Sequence, residues 1–495
     1  MARARHLRKS IEERLSREWS SLGPRDDAAA TRAVLCYPSP YNVGMSSLGF
    51  QAVLRAWNSV AGAWCDRAFL PEDVEAHRAA RAPLTGYESG LPVGGFDLIG
   101  ISLAYELELP GVVQVLELAG LEPLARDRRP ADPPVIIGGP ITFANALAAY
   151  DFADVIVHGE AEGLAEAILE ARTRASGKAE LLDAVHGMPG VSLPGRDDDE
   201  APALHRAPSE HLPARSVIVS EDTELSGMFL VEPERGCHRG CTYCVLRRPD
   251  KGNAKLLGGG MRLVGPEQML ALVPDEVARV GLVGAAVTDH PKIKAILRAL
   301  VEAGKGVGIS SLRADRLDDE FVGLLKAGGY RTLTTASDGA SERLRKLIRR
   351  GTKERHLIRS AELVRDHELR ELKLYMMLGL PEETEADVDE LVGFALELRS
   401  RCSVSLSIAP FVSKRNTPLD GLPFAGIRTV ERRISRLKRG LKGRVEVRPT
   451  SARWAWVEHR LSQCGREGAE ATLIATRAGG AFGAWKRAFA QIDDR

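Results

Sequence analysis

The chain has 495 residues, 44% of them hydrophobic, and a formal net charge of +1. That length calls for two or three cores, and the balanced charge excludes a general attraction to nucleic acid or membrane surfaces. Seven cysteines, three of them clustered, do not form a disulfide framework, and no apolar run is long enough to span a bilayer.

The opening stretch MARARHLRKSIEERLSREWSSLG predicts an amphipathic helix with Ile11, Leu15 and Trp19 on one side. It is basic without an apolar centre, unlike a secretory signal. Residues 33–36, 64–70, 96–103, 134–138 and 154–157 read as short apolar strands, with helices at about 51–61 and 111–119. Strand and helix alternating at this spacing predict a doubly wound parallel sheet. Ligands in such sheets sit beyond the carboxyl ends of the strands, here at 37–49, 102–105, 138–140 and 158–162. His158 is the one histidine at these ends, and it suits a second-sphere or surface role. The first loop has no G-x-G-x-x-G, which disfavours a dinucleotide. A domain that binds nothing and only supports its neighbour is the alternative, because Gly-Gly after a strand also makes a plain tight turn. GRDDDEAPA, at 195–203, is acidic and reads as linker.

Then comes VEPERGCHRGCTYCVLRRPD, with Cys237, Cys241 and Cys244. Gaps of three and two residues bring three thiolates round one side of a loop. Three thiolates fit three irons of a cubane cluster and leave the fourth iron open. Zinc with His238 as fourth ligand, or three unligated cysteines, are the alternatives. Strands follow at 229–232, 280–283, 307–311, 332–336, 373–378 and 403–409, with helices near 266–277, 291–304, 317–327, 353–366 and 385–399. Six such units predict a partial barrel with its chemistry at the carboxyl ends of the strands. Those ends offer Thr288 and Asp289, then Ser310, Ser311 and Arg313, then Asp338. Along the fifth strand Tyr375 and Met377 alternate with Met376, so one set faces inward. Arg313 suits a carboxylate by its guanidinium fork; an ion pair with Asp315 is the alternative. The segment 428–448 is densely basic and precedes Trp454, Trp456 and Trp485. Basic charge near aromatics can hold RNA; a solvated helix face packed on the barrel is the alternative that such charge runs favour.

The cysteine stretch, with Tyr243 before the last cysteine, resembles the signature of the radical S-adenosylmethionine (SAM) enzymes. LKLYMMLGLPEET resembles the family's Gly-x-Pro-x-Glu-Thr ending. The resemblance implies a 4Fe-4S cluster on the three cysteines and cleavage of SAM to methionine and a 5′-deoxyadenosyl radical. It implies SAM contacts from Tyr243, Thr288, Asp289, Ser310, Ser311, Arg313, Asp338, Met377 and Gly379. The Gly-Gly-Glu after the second strand of many members is GAAVTDHP here, so Thr288 and Asp289 stand as substitutes. DLIGISL, VIIGGP and DVIVHGEAE resemble the cobalamin-binding domain fused to many of these enzymes. This places Tyr41, Ser102, Leu103, Gly138, Gly139, Gly159 and Glu160 around the cofactor. The family's Asp-x-His-x-x-Gly is absent, so cobalamin is expected without a histidine lower ligand. The first loop, YPSPYNVGMSSLG, resembles that of a subfamily with no assigned reaction.

These readings combine into one expectation. Residues 1–30 form an N-terminal helix, 31–205 a Rossmann-like cobalamin-binding-type domain, 206–425 a partial (β/α)6 barrel, and 426–495 a small basic C-terminal region. The fold class is α/β. The expected activity is cobalamin-dependent methyl transfer to an unactivated carbon, with Tyr105, Glu106 and Tyr375 lining the substrate pocket. The alternatives are a radical enzyme modifying RNA or a metabolite with a vestigial first domain, and a cluster-binding nucleic-acid regulator. The substrate is a small molecule or RNA, the electron donor a flavodoxin or ferredoxin, and the location cytoplasmic with no membrane partner.

Overall fold

The computed structural model describes residues 2–24, 26, 28–197, 202–247, 260–310 and 312–494. Ser311, part of the linker at 195–203 and the end of the cysteine stretch therefore lie outside the described residues. Two compact units divide the chain: one runs through Met228 and resumes at Cys464, the other runs from Phe229 to Gln463. Both are α/β. Among the described residues no helix is long and apolar enough to cross a membrane.

The first unit carries a six-stranded sheet. Its strands are β1 Thr31–Tyr37, β2 Ala63–Phe69, β3 Leu98–Ser102, β4 Val135–Gly138, β5 Val155–Val157 and β6 Val191–Ser192, in the order β2-β1-β3-β4-β5-β6. The first five are mutually parallel and β6 adds antiparallel at the edge. Nearly every residue of β1, β3 and β4 is buried, as expected of parallel strands covered on both faces. Helix α1 is Ala2–Leu15, α2 is Leu48–Asn58 and α3 is Leu109–Leu118. A Cβ at Gly100 of β3 would collide with the Trp57 indole of α2, so glycine lets helix and sheet close up. The predicted strands recur within two residues.

His158, at the end of β5, is wholly interior rather than at the surface. Its Nε2 lies 3.2 Å from Tyr150 Oη, while Nδ1 has no partner among the described residues. Burial lowers its pKa from 6.5 to about 4. The fold therefore favours the neutral ring, and the unfolded chain binds the extra proton as pH falls below about 6.5. Stability is full above that pH and declines down to about 4, by on the order of 3 kcal/mol at the limit. Urea unfolding of the His158→Gln variant between pH 7 and 4.5 should show a clearly flatter decline than the parent.

The second unit is the partial barrel. It has β7 Met228–Val231, β8 Arg279–Leu282, β9 Gly306–Ile309, β10 Thr332–Asp338, β11 Glu371–Leu378, β12 Val404–Pro410 and β13 Glu446–Pro449. Three strands run β9-β8-β7 and four run β10-β11-β12-β13, and a single parallel bridge between Leu312 and Thr335 joins the two groups. β13 is a seventh strand that the sequence did not announce: Glu446 and Arg448 are exposed, so no apolar run marks it. The helix expected over 266–277 ends at Leu270, ahead of Pro274, which lacks an amide donor and disfavours helix in the residue before it.

Helix α4 is Glu385–Arg399 and α5 is Ile427–Leu441. Val430, Ile434, Leu437 and Leu441 are buried at helical spacing along α5. Arg433 Nη1 meets Glu383 at 2.9 Å, and Arg436 meets Asp389 of α4 at 2.6 Å. Much of the basic character of 428–448 is thus spent on packing α5 beside α4. Beyond Cys464 the chain belongs to the first unit, where α6 Glu467–Arg477 packs against α3. Helix α7 is Phe482–Asp493. It buries Trp485 against Phe489, whereas Trp454 of the second unit is exposed.

Candidate active site at the cysteine loop

After β7 the chain makes a short pairing, Glu234–Arg235 with Arg262–Leu263, and turns at Gly236 with φ +94°. Only glycine adopts that conformation freely. The cysteines then come round one cavity of about 140 Å³, lined by Cys237, Cys241, Cys244, Tyr243, Ser310, Arg313 and Tyr375, and by Arg239, Arg247 and Arg350. Burial raises the Cys237 thiol and pushes Cys244 up to about 11. Both are protonated near neutral pH until a metal displaces the proton. Among the described residues no group of three His, Cys, Asp or Glu converges at metal-binding distance. The donor set is nonetheless three thiols on one loop; His238 turns to Asp289, at 3.8 Å.

Two carboxylates hold the loop. Asp289, whose side chain is fully buried, accepts from Arg239 Nε at 2.8 Å and Nη2 at 2.6 Å, and pairs with Arg316 Nε at 2.8 Å. Burial pushes against its charge, yet these arginines hold its pKa at about 2. Asp338 accepts from Tyr243 Oη at 2.6 Å and faces Arg350 Nε at 2.7 Å. It is a non-glycine residue at φ +62°, beside a register shift in the β10–β11 ladder. Left-handed backbone of this kind costs of order 1–3 kcal/mol and persists only where surrounding contacts over-determine it. Asp289 and Asp338 thus meet the cysteine loop through Arg239 and Tyr243.

Thr288 Oγ1 accepts from Arg313 N at 3.3 Å, and Ser310 Oγ donates to Gly284 O at 3.2 Å. Arg313 is buried, lines the cavity and donates to Asp315 at 3.0 Å; pocket wall and ion pair are both present. Along β11 the buried side chains are Leu372, Leu374, Met376 and Leu378. Tyr375 and Met377 share the other face, and Tyr375 is 46% exposed at the cavity, with Lys373 Nζ 5.0 Å from its ring centre. Gly379, at φ +88°, receives Ala425 and Val430 close to where a Cβ would lie, and donates to Glu383 at 2.9 Å.

The strand ends of the first unit are tied to one another. Leu103 N donates to Gly138 O at 2.8 Å, and a Cβ at Gly139, φ +115°, would stand 2.6 Å from Leu103 O. Gly159 N donates to Thr142 Oγ1 at 3.1 Å, and Glu160 accepts from Ala207 N at 2.8 Å. Ser102 ends β3, half-buried; Tyr105 is exposed and Glu106 buried. Tyr41 is buried, stacked on Tyr87 at 5.4 Å with Arg14 over its ring. These three residues line a second cavity of about 540 Å³ beyond β1 and β2.

Residues 231–395 match the radical SAM superfamily model. Residues 49–194 match the model for the N-terminal region of radical SAM proteins. An uncharacterized protein of Methanocaldococcus jannaschii is 27% identical over 336 residues, 66% of this chain and 69% of that one. Among solved structures, the cobalamin-dependent SAM radical enzyme OxsB, with aqua-cobalamin and SAM bound, is 13% identical. It aligns with 84% of this chain at a TM-score of 0.49, and this chain spans 56% of its length. SuiB of Streptococcus suis, bound to SAM, is 15% identical over 45% of this chain and 49% of its own, at a TM-score of 0.33.

The radical SAM match opens at Val231, the last residue of β7, and closes within α4, so it contains all three cysteines and every residue named above for the cysteine-loop cavity. Sequence reasoning missed Arg239, Arg350 and Glu234. Arg239 stood inside the cysteine motif and was legible as a cation there. Arg350 lies in a helix-to-loop turn with no strand-end signal. Glu234 is fully buried, accepts from Ala286 N at 2.6 Å through Oε1, and among the described residues has no partner at Oε2. Burial pushes its pKa up to about 7.

Proposed function

We propose that the protein is a radical SAM enzyme whose Cys237, Cys241 and Cys244 hold a 4Fe-4S cluster, with SAM beside it in the 140 Å³ cavity. The observation that carries this reading is the set of three thiols lining one cavity within the segment that matches the superfamily. When bound, the cluster supplies the electron that cleaves SAM to methionine and a 5′-deoxyadenosyl radical, and cobalamin carries a methyl group. The chain's own residues bind and orient. Arg313 is aimed by Asp315 to take a carboxylate, for which its fork is suited. Ser310 and Tyr375 border the same space, and Tyr243 is fixed through its hydroxyl.

Cobalamin-dependent methyl transfer to an unactivated carbon is the finer reading, supported by the strand endings DLIGISL, VIIGGP and DVIVHGEAE. Its residues are Tyr41, Ser102, Leu103, Gly138, Gly139, Gly159 and Glu160, with Tyr105, Glu106 and Tyr375 toward the substrate. A flavodoxin or ferredoxin is the proposed electron donor, and a small molecule or RNA the substrate. The tied strand ends at Leu103, Gly138 and Gly159 favour a second reading, in which the first unit holds no cofactor and the radical chemistry proceeds without methyl transfer.

Anaerobically reconstituted protein should hold about four irons and four sulfides per chain and release 5′-deoxyadenosine from SAM under reductant. Zinc alone after anaerobic purification would overturn the cluster. Protein made with cobalamin present should retain it, with a spectrum lacking a histidine lower ligand, and Gly139→Val should lose it. Failure to retain cobalamin in any redox state selects the second reading.

A further inference from the structure

Three contacts converge on the second half of the cysteine loop from one place in the barrel. Thr242 N donates to Ile348 O at 3.1 Å. Tyr243 Oη donates to Asp338 Oδ2 at 2.6 Å. Arg350, two residues after Ile348, faces the same Asp338 oxygen through Nε at 2.7 Å and donates from Nη2 to Ala336 O at 3.2 Å. Its guanidinium lines the same cavity as Cys241. Arg350 is therefore held on the β10 side of the cavity that the cysteines line. The left-handed backbone of Asp338 aims one carboxylate oxygen at both Tyr243 and Arg350.

We infer that Arg350 holds its positive charge in the cavity beside the cysteine loop and so raises the reduction potential of the bound cluster, and that Asp338 is the positioning residue that aims it. The inference rests on the cluster reading above. A cation beside the cluster stabilises the more negative, reduced state. Removing it lowers the midpoint, and a tenfold change in a one-electron reduction equilibrium is about 59 mV. Tyr243 shares the carboxylate, so its ring and the charge in the cavity are set by one group.

The test uses the full chain, reconstituted anaerobically, with iron content, thermal melting and the midpoint potential measured on each protein. Arg350→Gln should load iron and shift the midpoint to lower potential by at least tenfold in the reduction equilibrium. Arg350→Lys, which keeps the charge, should recover at least half of that shift. A purely structural role would lower iron content or melting temperature while leaving the potential of the loaded fraction unchanged, and that result overturns the inference. If Arg350→Gln loads poorly, the loaded fraction of Arg350→Met decides. A parent protein that binds no iron overturns the cluster reading itself, an outcome distinct from a loaded parent whose potential ignores Arg350.

Discussion

Cys241→Ala should lose iron binding and SAM cleavage outright while the chain stays folded. Cys241 lies between the other two cysteines, in the half of the loop held at Thr242 and Tyr243 by backbone and hydroxyl bonds. Two thiols cannot hold three irons of a cubane. The loop itself is tied to the barrel at Arg239, Thr242 and Tyr243 through groups other than the thiol, so the fold should tolerate the change. The measurements are iron and sulfide content, 5′-deoxyadenosine yield, and the thermal melt. A variant that retains near-stoichiometric iron and cleaves SAM would remove the three-thiolate site from consideration.

The largest effect on stability should come from Arg67→Ala in the first unit. Arg67 is buried in β2 and donates to Glu18 Oε2 at 2.5 Å and to Glu88 Oε1 at 2.7 Å. Glu18 is itself buried, delivered there by the pairing of Trp19–Ser20 with Ile218–Val219. Asp66, beside it, is satisfied by Arg67 N, Glu88 N and the Ser89 hydroxyl. Burial already pushes Glu88 up to about 8. Without Arg67, the buried Glu18 carboxylate loses its arginine, and the partly buried Glu88 loses the same partner, a change that costs about 3–5 kcal/mol. Urea unfolding should show this loss, and an apolar or neutral triple replacement, Arg67→Met with Glu18→Gln and Glu88→Gln, should recover most of it. A loss below about 1 kcal/mol, the level of a surface pair, would refute this account of the network.

Much of the architecture was legible because apolar runs and glycines report directly on buried parallel strands. FDLIGISL became β3 and LKLYMMLGL became β11, within two residues of expectation. The three cysteines were legible because their spacing lies within one loop, where chain geometry alone brings them to one side. By contrast β13 was invisible: its EVRP pattern alternates about an exposed edge, and only pairing with β12 makes it a strand. The roles of charged groups were likewise hidden. The sequence placed Asp289 and Asp338 at strand ends, but whether a carboxylate there meets a ligand or an arginine depends on residues far along the chain. Asp289 meets Arg239 and Arg316, and Asp338 meets Tyr243 and Arg350. The basic segment at 428–448 was read from its charge, and tertiary packing decided that Arg433 and Arg436 face Glu383 and Asp389. Periodicity and loop spacing are local and survive in one dimension. Ion pairing is non-local, because a charge takes whichever partner the fold brings within a few ångströms, and only the folded chain determines which one that is.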